Sequence, residues 1–257
     1  RIVRKHLTGL SALRSICAGC EPKSRRDMIE DIPNEYLPDK LRELLAASQS
    51  TVYEKPFEVE HDESCLEGQA IVKSICSGVT LKCYNVDESA LGQISWTKSA
   101  VDMADAILTA LAAHSMLIFE GPPGRGKTEI TRVVYRFLGL QYERINLSPS
   151  TTEEDVFART DPVIDENGSV KTNIIDGPLF QTAERSKDSF EICKNALIFD
   201  EFNLASPELL DQLYPFLQSI FYSNVYFAPN GTRYEIGKIG VVATMNDAKL
   251  SNARTTI

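Results

Sequence analysis

The chain has 257 residues, enough for one large α/β domain and a smaller region beside it. Its apolar and charged fractions are ordinary for a globular protein, which argues against a disordered or fibrous chain. A net charge of −9 argues against a broad electrostatic footprint on nucleic acid or on an anionic membrane.

Residues 1–16 place Val3, Leu7, Leu10 and Leu13 on one face, the pattern of an amphipathic helix. Cys17-Ala-Gly-Cys20 has the spacing of half a zinc knuckle. No second close pair follows at the usual distance, so structural thiols are the simpler reading of the pair. The six cysteines overall fit free thiols in a reducing compartment. A charged linker covers 21–31, and Leu37, Leu41, Leu44 and Leu45 mark a second helix with Pro38 near its start. Residues 51–60 and 79–84 lean towards strands, and Gln69–Cys76 leans towards helix. No chemistry-bearing constellation occurs before residue 96. We therefore expect a smaller, mainly helical region over 1–95 and the main α/β domain over 96–257.

From Ser99 to Ala113 a stripe of Val101, Ala104, Leu108, Leu111 and Ala112 predicts a helix, and Met116–Glu120 predicts a short buried strand. Val101 to Phe119 is the most apolar region, yet Asp102, Asp105 and His114 interrupt it well short of a membrane span. Next comes Gly121-Pro122-Pro123-Gly124-Arg125-Gly126-Lys127-Thr128, which satisfies the phosphate-loop pattern G-x-x-x-x-G-K-[ST]. A Gly-rich turn can match by chance. Here a strand precedes the match and a helix over 130–138, stopped by Gly139, follows it. In that setting the glycines let backbone N–H groups point at phosphates, and the helix N-terminus adds favourable partial charge. Lys127 is placed to reach the β and γ phosphates, and the Thr128 hydroxyl to ligate Mg²⁺.

Residues 142–147 read as another strand, and Thr151-Thr152-Glu153-Glu154 as a capping box with Thr151 as N-cap. Pro162–Ile175 reads as an inserted hairpin turning at Glu166-Asn167-Gly168, and Pro178 opens the next helix. Asn195–Phe199 is a buried-strand pattern ending in Asp200-Glu201. Acids often follow a strand merely because the chain re-enters solvent. Downstream of a phosphate loop they gain a role: Asp200 to hold Mg²⁺ and Glu201 to orient and deprotonate an attacking water. Ser206-Pro207 caps a helix that buries Leu209, Leu210, Leu213 and Leu217. A hairpin follows around Asn230-Gly231, and the strand Ile239–Met245 delivers Asn246 to the same sheet edge, within reach of a γ-phosphate or a lytic water. Strands alternating with helices at this spacing imply a mostly parallel sheet covered on both faces.

In this order the motifs resemble the AAA+ ATPase fold, a three-layer P-loop sandwich with hairpin insertions. Within it the chain is most similar to the dynein-related, midasin-type modules. The residues that carry the likeness are Ile145-Asn146-Leu147-Ser148 with Thr152 and Asp155, Asp176-Gly177-Pro178-Leu179, Asp200 to Ser206, and Ala243 to Asn246. MoxR-type chaperones share much of this set. The resemblance implies ATP and Mg²⁺, neighbouring modules in a ring, and remodelling of a protein or ribonucleoprotein assembly. For a midasin-type module that assembly is the maturing large ribosomal subunit, with a nuclear address; other relatives would be cytoplasmic. It also implies catalytic work for Glu201, Lys127 and Asn246, with Thr128 and Asp200 at the metal. The sequence stops at Ile257, ahead of the family's last sheet strand, its helical lid and its sensor 2 arginine. Arg254 is not assigned as an arginine finger, and a midasin-type arrangement would make residues 1–50 the lid of a preceding module. Direct DNA binding and membrane association are not expected. GTP is disfavoured because no Asn-Lys-x-Asp string is present, and adenine contacts are expected around Trp96–Val101.

Overall fold

The computed structural model of the chain describes residues 53–164, 170–229 and 231–246. The two helices and the cysteine pair expected within residues 1–50, the Glu166-Asn167-Gly168 turn, Asn230 and Arg254 lie outside the described residues.

Four parallel strands form the central sheet: β4 (Leu117–Glu120), β5 (Gln141–Asn146), β8 (Asn195–Asp200) and β11 (Ile239–Met245). Their spatial order is β4-β11-β8-β5. β8 is buried at every position because it lies between two strands and beneath helices on both faces. Its side chains alternate between two apolar clusters. Ala196 and Ile198, with Val242 of β11, face one helical layer made of α1 (Lys98–Ala112) and α2 (Lys127–Phe137). Leu197 and Phe199, with Val241 and Ala243, face the other, made of α4 (Pro178–Ser186) and α5 (Pro207–Gln218). The expected three-layer α/β sandwich is therefore what the chain forms. β4 departs from the buried strand expected of it. Its positions alternate between half-buried and exposed, and Ile118 is 48% exposed, because β4 is an edge strand of the described sheet.

The helix starts follow from local chemistry. Thr97 caps α1, its hydroxyl accepting from the Ala100 N–H; Ser206 caps α5 by accepting from Leu209, with Pro207 next. At α3 (Glu153–Val156) the cap shifts by one residue from the expected Thr151. Thr152 is the N-cap and Asp155 closes the box by accepting from the Thr152 N–H at 2.8 Å. Thr151 instead uses its hydroxyl to accept from the Ser148 N–H, which holds the turn after β5.

Both hairpins form. β6 (Ala158–Ile164) pairs antiparallel with β7 (Val170–Asp176), and β9 (Val225–Phe227) with β10 (Arg233–Glu235). The N-terminal part of the described chain corrects one expectation. Ala70–Ser74, within the stretch read as helix, is a strand (β2), flanked by β1 (Phe57–Glu60) and β3 (Thr80–Tyr84) in an antiparallel sheet. Ala70, Val72 and Ser74 point inward and Lys73 outward, a two-residue period that a helix would scramble. This small sheet packs into the α1–α2 side of the core. Phe57 stacks on Phe137 of α2 with centroids 5.1 Å apart, and Trp96 is 2% exposed with its indole N–H on the Leu91 carbonyl. In the segment expected to contact adenine, Trp96 and Val101 are buried core side chains, and Lys98 and Ser99 are exposed.

Candidate functional site

The phosphate loop runs from the end of β4 to the first turn of α2, as the motif requires. Gly124 and Gly126 sit at φ 74° and 76°, a left-handed conformation that residues bearing a Cβ resist. Gly126 serves as the N-cap of α2, so the helix begins with Lys127 and Thr128. The loop is pinned at its start by the Gly121 N–H, which donates to the Met245 carbonyl at 3.2 Å. Parallel register places Glu120 beside Met245 and Phe199 beside Ala243. The exits of β4, β11 and β8 are therefore level, and the loop, Asp200-Glu201 and Asn246 meet at one rim.

Within that rim the polar groups engage one another. Lys127 Nζ donates to the carbonyls of Gly121 and Pro122 at 2.8 and 2.9 Å, folded back over its own loop. Burial lowers the Lys127 pKa, and the negative charges of Asp200 and Glu201 oppose that shift. Thr128 Oγ1 donates to Asp200 Oδ1 at 2.9 Å, tying the first turn of α2 to the end of β8. Asp200 is 8% exposed. Burial alone would raise its pKa; hydrogen bonds from Thr244, Arg144 and Thr128, with the Arg144 charge, outweigh burial and hold it below the usual carboxylate range. Glu201 follows at φ 57°, where the chain turns sharply out of the strand. Its carboxylate Oε1 accepts from Asn246 Nδ2 at 3.1 Å, and the Asn246 N–H donates to Asn203 Oδ1 at 3.3 Å. Pro123, Gly124 and Arg125 form the exposed crest of the loop.

Three participants had no assigned part in the sequence reading. Arg144, on β5, places Nε and Nη2 on Asp200 Oδ2 at 3.2 and 2.5 Å. Thr244 Oγ1 donates to Asp200 Oδ1 and accepts from the Glu201 N–H at 3.3 Å. Asn203 holds the backbone of Asn246. A signal for Thr244 existed, since it lies two residues before Asn246 near the end of β11; Arg144 had only its charge, as one of four polar side chains in β5 with Gln141, Glu143 and Asn146.

A glycine-curled loop, an ammonium group, a hydroxyl–carboxylate pair and an amide-held second carboxylate at one sheet rim define a P-loop nucleotide site. The model of the AAA domain, dynein-related subfamily, matches residues 116–256, and the chain belongs to that family. Individual relatives align over part of the chain. The chain is 28% identical to Lon protease homolog 2, peroxisomal, of Caenorhabditis elegans over 162 residues, 57% of this chain and 19% of that protein. It is 31% identical to midasin of Giardia intestinalis over 83 residues, 32% of this chain and 2% of midasin. Both shares fall far below two thirds of those relatives' own lengths. Among solved structures, a candidate ATPase from Cytophaga hutchinsonii aligns with a TM-score of 0.40 at 18% identity, over 59% of this chain and 43% of that one.

Proposed function

We propose that the chain is an ATP-hydrolysing AAA+ module in which Glu201 is the general base. The observation that carries this reading is the Asn246 Nδ2–Glu201 Oε1 contact of 3.1 Å. It aims the second acid of the strand end into the rim that Asp200, Thr128 and Lys127 share. Residues 121–128 would bind the triphosphate, with backbone N–H groups and the Lys127 ammonium offsetting its charge. To do so Lys127 exchanges its two carbonyl acceptors for phosphate oxygens. Thr128 and Asp200 suit Mg²⁺, because a hydroxyl and an ionised carboxylate are hard oxygen donors and are already 2.9 Å apart. When bound, the metal would neutralise charge on the phosphates. Glu201 accepts a proton from water, and Asn246 fixes the orientation of the accepting carboxylate.

Glu201→Gln tests this assignment. It keeps size and hydrogen bonding to Asn246 while removing the base, so turnover should fall by roughly 100-fold or more with nucleotide affinity retained. Undiminished turnover in the Gln protein would remove Glu201 from the mechanism. The finer reading is that turnover drives remodelling of a protein or ribonucleoprotein assembly within a ring of such modules, as in midasin-type chains. The Asp176-Gly177-Pro178-Leu179 and Asp200-Glu201-Phe202-Asn203 strings and the 31% identity to midasin support it. Pre-60S particles retained by the Glu201→Gln protein and released by the parent would support the ribosomal assignment. Equal, nucleotide-independent retention by both would count against it.

A further inference from the structure

The Asp200 carboxylate is gripped at both oxygens, and the second grip belongs to no recognised motif. Oδ1 takes the hydroxyls of Thr128 and Thr244. Among the described residues Oδ2 takes Arg144 alone, through Nε at 3.2 Å and Nη2 at 2.5 Å. The register explains the reach. Asn146 of β5 lies opposite Asp200 and Arg144 opposite Ile198, so the guanidinium extends diagonally along the sheet to the strand end. An Arg–carboxylate pair commonly forks across both oxygens. Here both N–H groups converge on one, because the hydroxyls already hold the other.

We infer that Arg144 is a positioning residue for the metal-binding carboxylate. By holding Oδ2 it fixes rotation of the carboxylate plane and presents Oδ1 to Thr128, the geometry in which Mg²⁺ would accompany a nucleotide. This rests on the reading of Asp200 as a metal ligand. The Arg144 side chain is 47% exposed, and an exposed ion pair ordinarily contributes little. What separates this one is its partner, whose side chain is 11% exposed and, among the described residues, otherwise bound only by two hydroxyls. Groups that orient a metal's ligand commonly change metal affinity 10–100-fold when removed. A cation beside a metal site also repels the metal. The two effects have opposite signs, so the direction of change identifies the role.

The test measures binding of a fluorescent ATP analogue to the purified chain, once with Mg²⁺ and once with EDTA. The parent, Arg144→Gln, Arg144→Lys and Asp200→Asn proteins are compared, with thermal unfolding as a check on folding. With EDTA, Arg144→Gln should bind within about twofold of the parent, since residues 121–127 are untouched. The tightening produced by Mg²⁺ should fall about 10–100-fold. Arg144→Lys should fall with it, because an ammonium keeps the charge but loses the planar pair of N–H donors. If Arg144→Gln fails to fold, the Lys protein carries the comparison. Unchanged or enhanced Mg²⁺ dependence in the Arg144 variants, with loss in Asp200→Asn, overturns the positioning role and leaves the Asp200 reading standing. Full rescue by Lys overturns it too, in favour of charge alone. Mg²⁺ dependence that survives Asp200→Asn defeats the underlying reading, and the role of Arg144 with it.

Discussion

Cys193 shows how burial alone sets the reactivity of a side chain. Its thiol is 3% exposed, donates to the Asn195 carbonyl, and is pushed up to about 12 by burial. At pH 8 it is therefore overwhelmingly protonated, and only the thiolate attacks an alkylating agent. Iodoacetamide labelling of the native chain, mapped by mass spectrometry, should leave Cys193 unmodified while the exposed Cys76 reacts. Labelling of Cys193 at the pace of Cys76 without denaturant would show the core to be open at that point. The same contrast between string and surroundings explains what could be read at the site. Lys127, Thr128, Asp200 and Glu201 are legible because they occupy contiguous strings whose flanking strands are apolar. Arg144 was not, since its meaning comes from lying diagonally across a strand pair, and register is not written in either strand alone.

Elements end where the backbone demands a particular geometry. Gly139, just past α2, has φ 65°, and a Cβ there would meet the Asn85 carbonyl oxygen at 2.3 Å. Gly139→Ala therefore incurs both left-handed strain and a backbone clash, together about 2–5 kcal/mol. A urea midpoint unchanged from the parent would show that this turn relaxes freely. The stop itself was readable, because a glycine directly follows a helical run. The cap of α3 was less so: Thr151 and Thr152 are each followed three residues later by an acid, and only the backbone conformation selects Thr152. Gln69–Cys76 failed for a related reason. A run as short as Ala70-Ile71-Val72 satisfies a helical or an extended period equally, and pairing with β1 and β3 decides it.

At the scale of the molecule, the small antiparallel sheet and the nucleotide-binding layers share one core. Phe57 of β1 is fully buried against Phe137 of α2, at the far end of the helix that begins with Lys127. Phe57→Ala should cost about 3–5 kcal/mol, and the whole described core should unfold in one earlier transition. A separate early transition, with the nucleotide site intact, would mean that the sheet folds independently. The layered α/β arrangement was legible from the alternation of apolar strands and capped helices. The attachment of residues 57–96 to it was not, because an isolated apolar face does not name its partner. Thr244 has a consequence of a different kind. One hydroxyl donates to the Asp200 carboxylate and accepts from the Glu201 backbone N–H, so the positions that carry both acids are tied to β11 through a single oxygen. Thr244→Val, which keeps the shape and removes both bonds, should therefore lower Mg²⁺-dependent nucleotide affinity and turnover together. Affinity and turnover equal to the parent's in Thr244→Val would mean that the two acids hold their places without this shared tie.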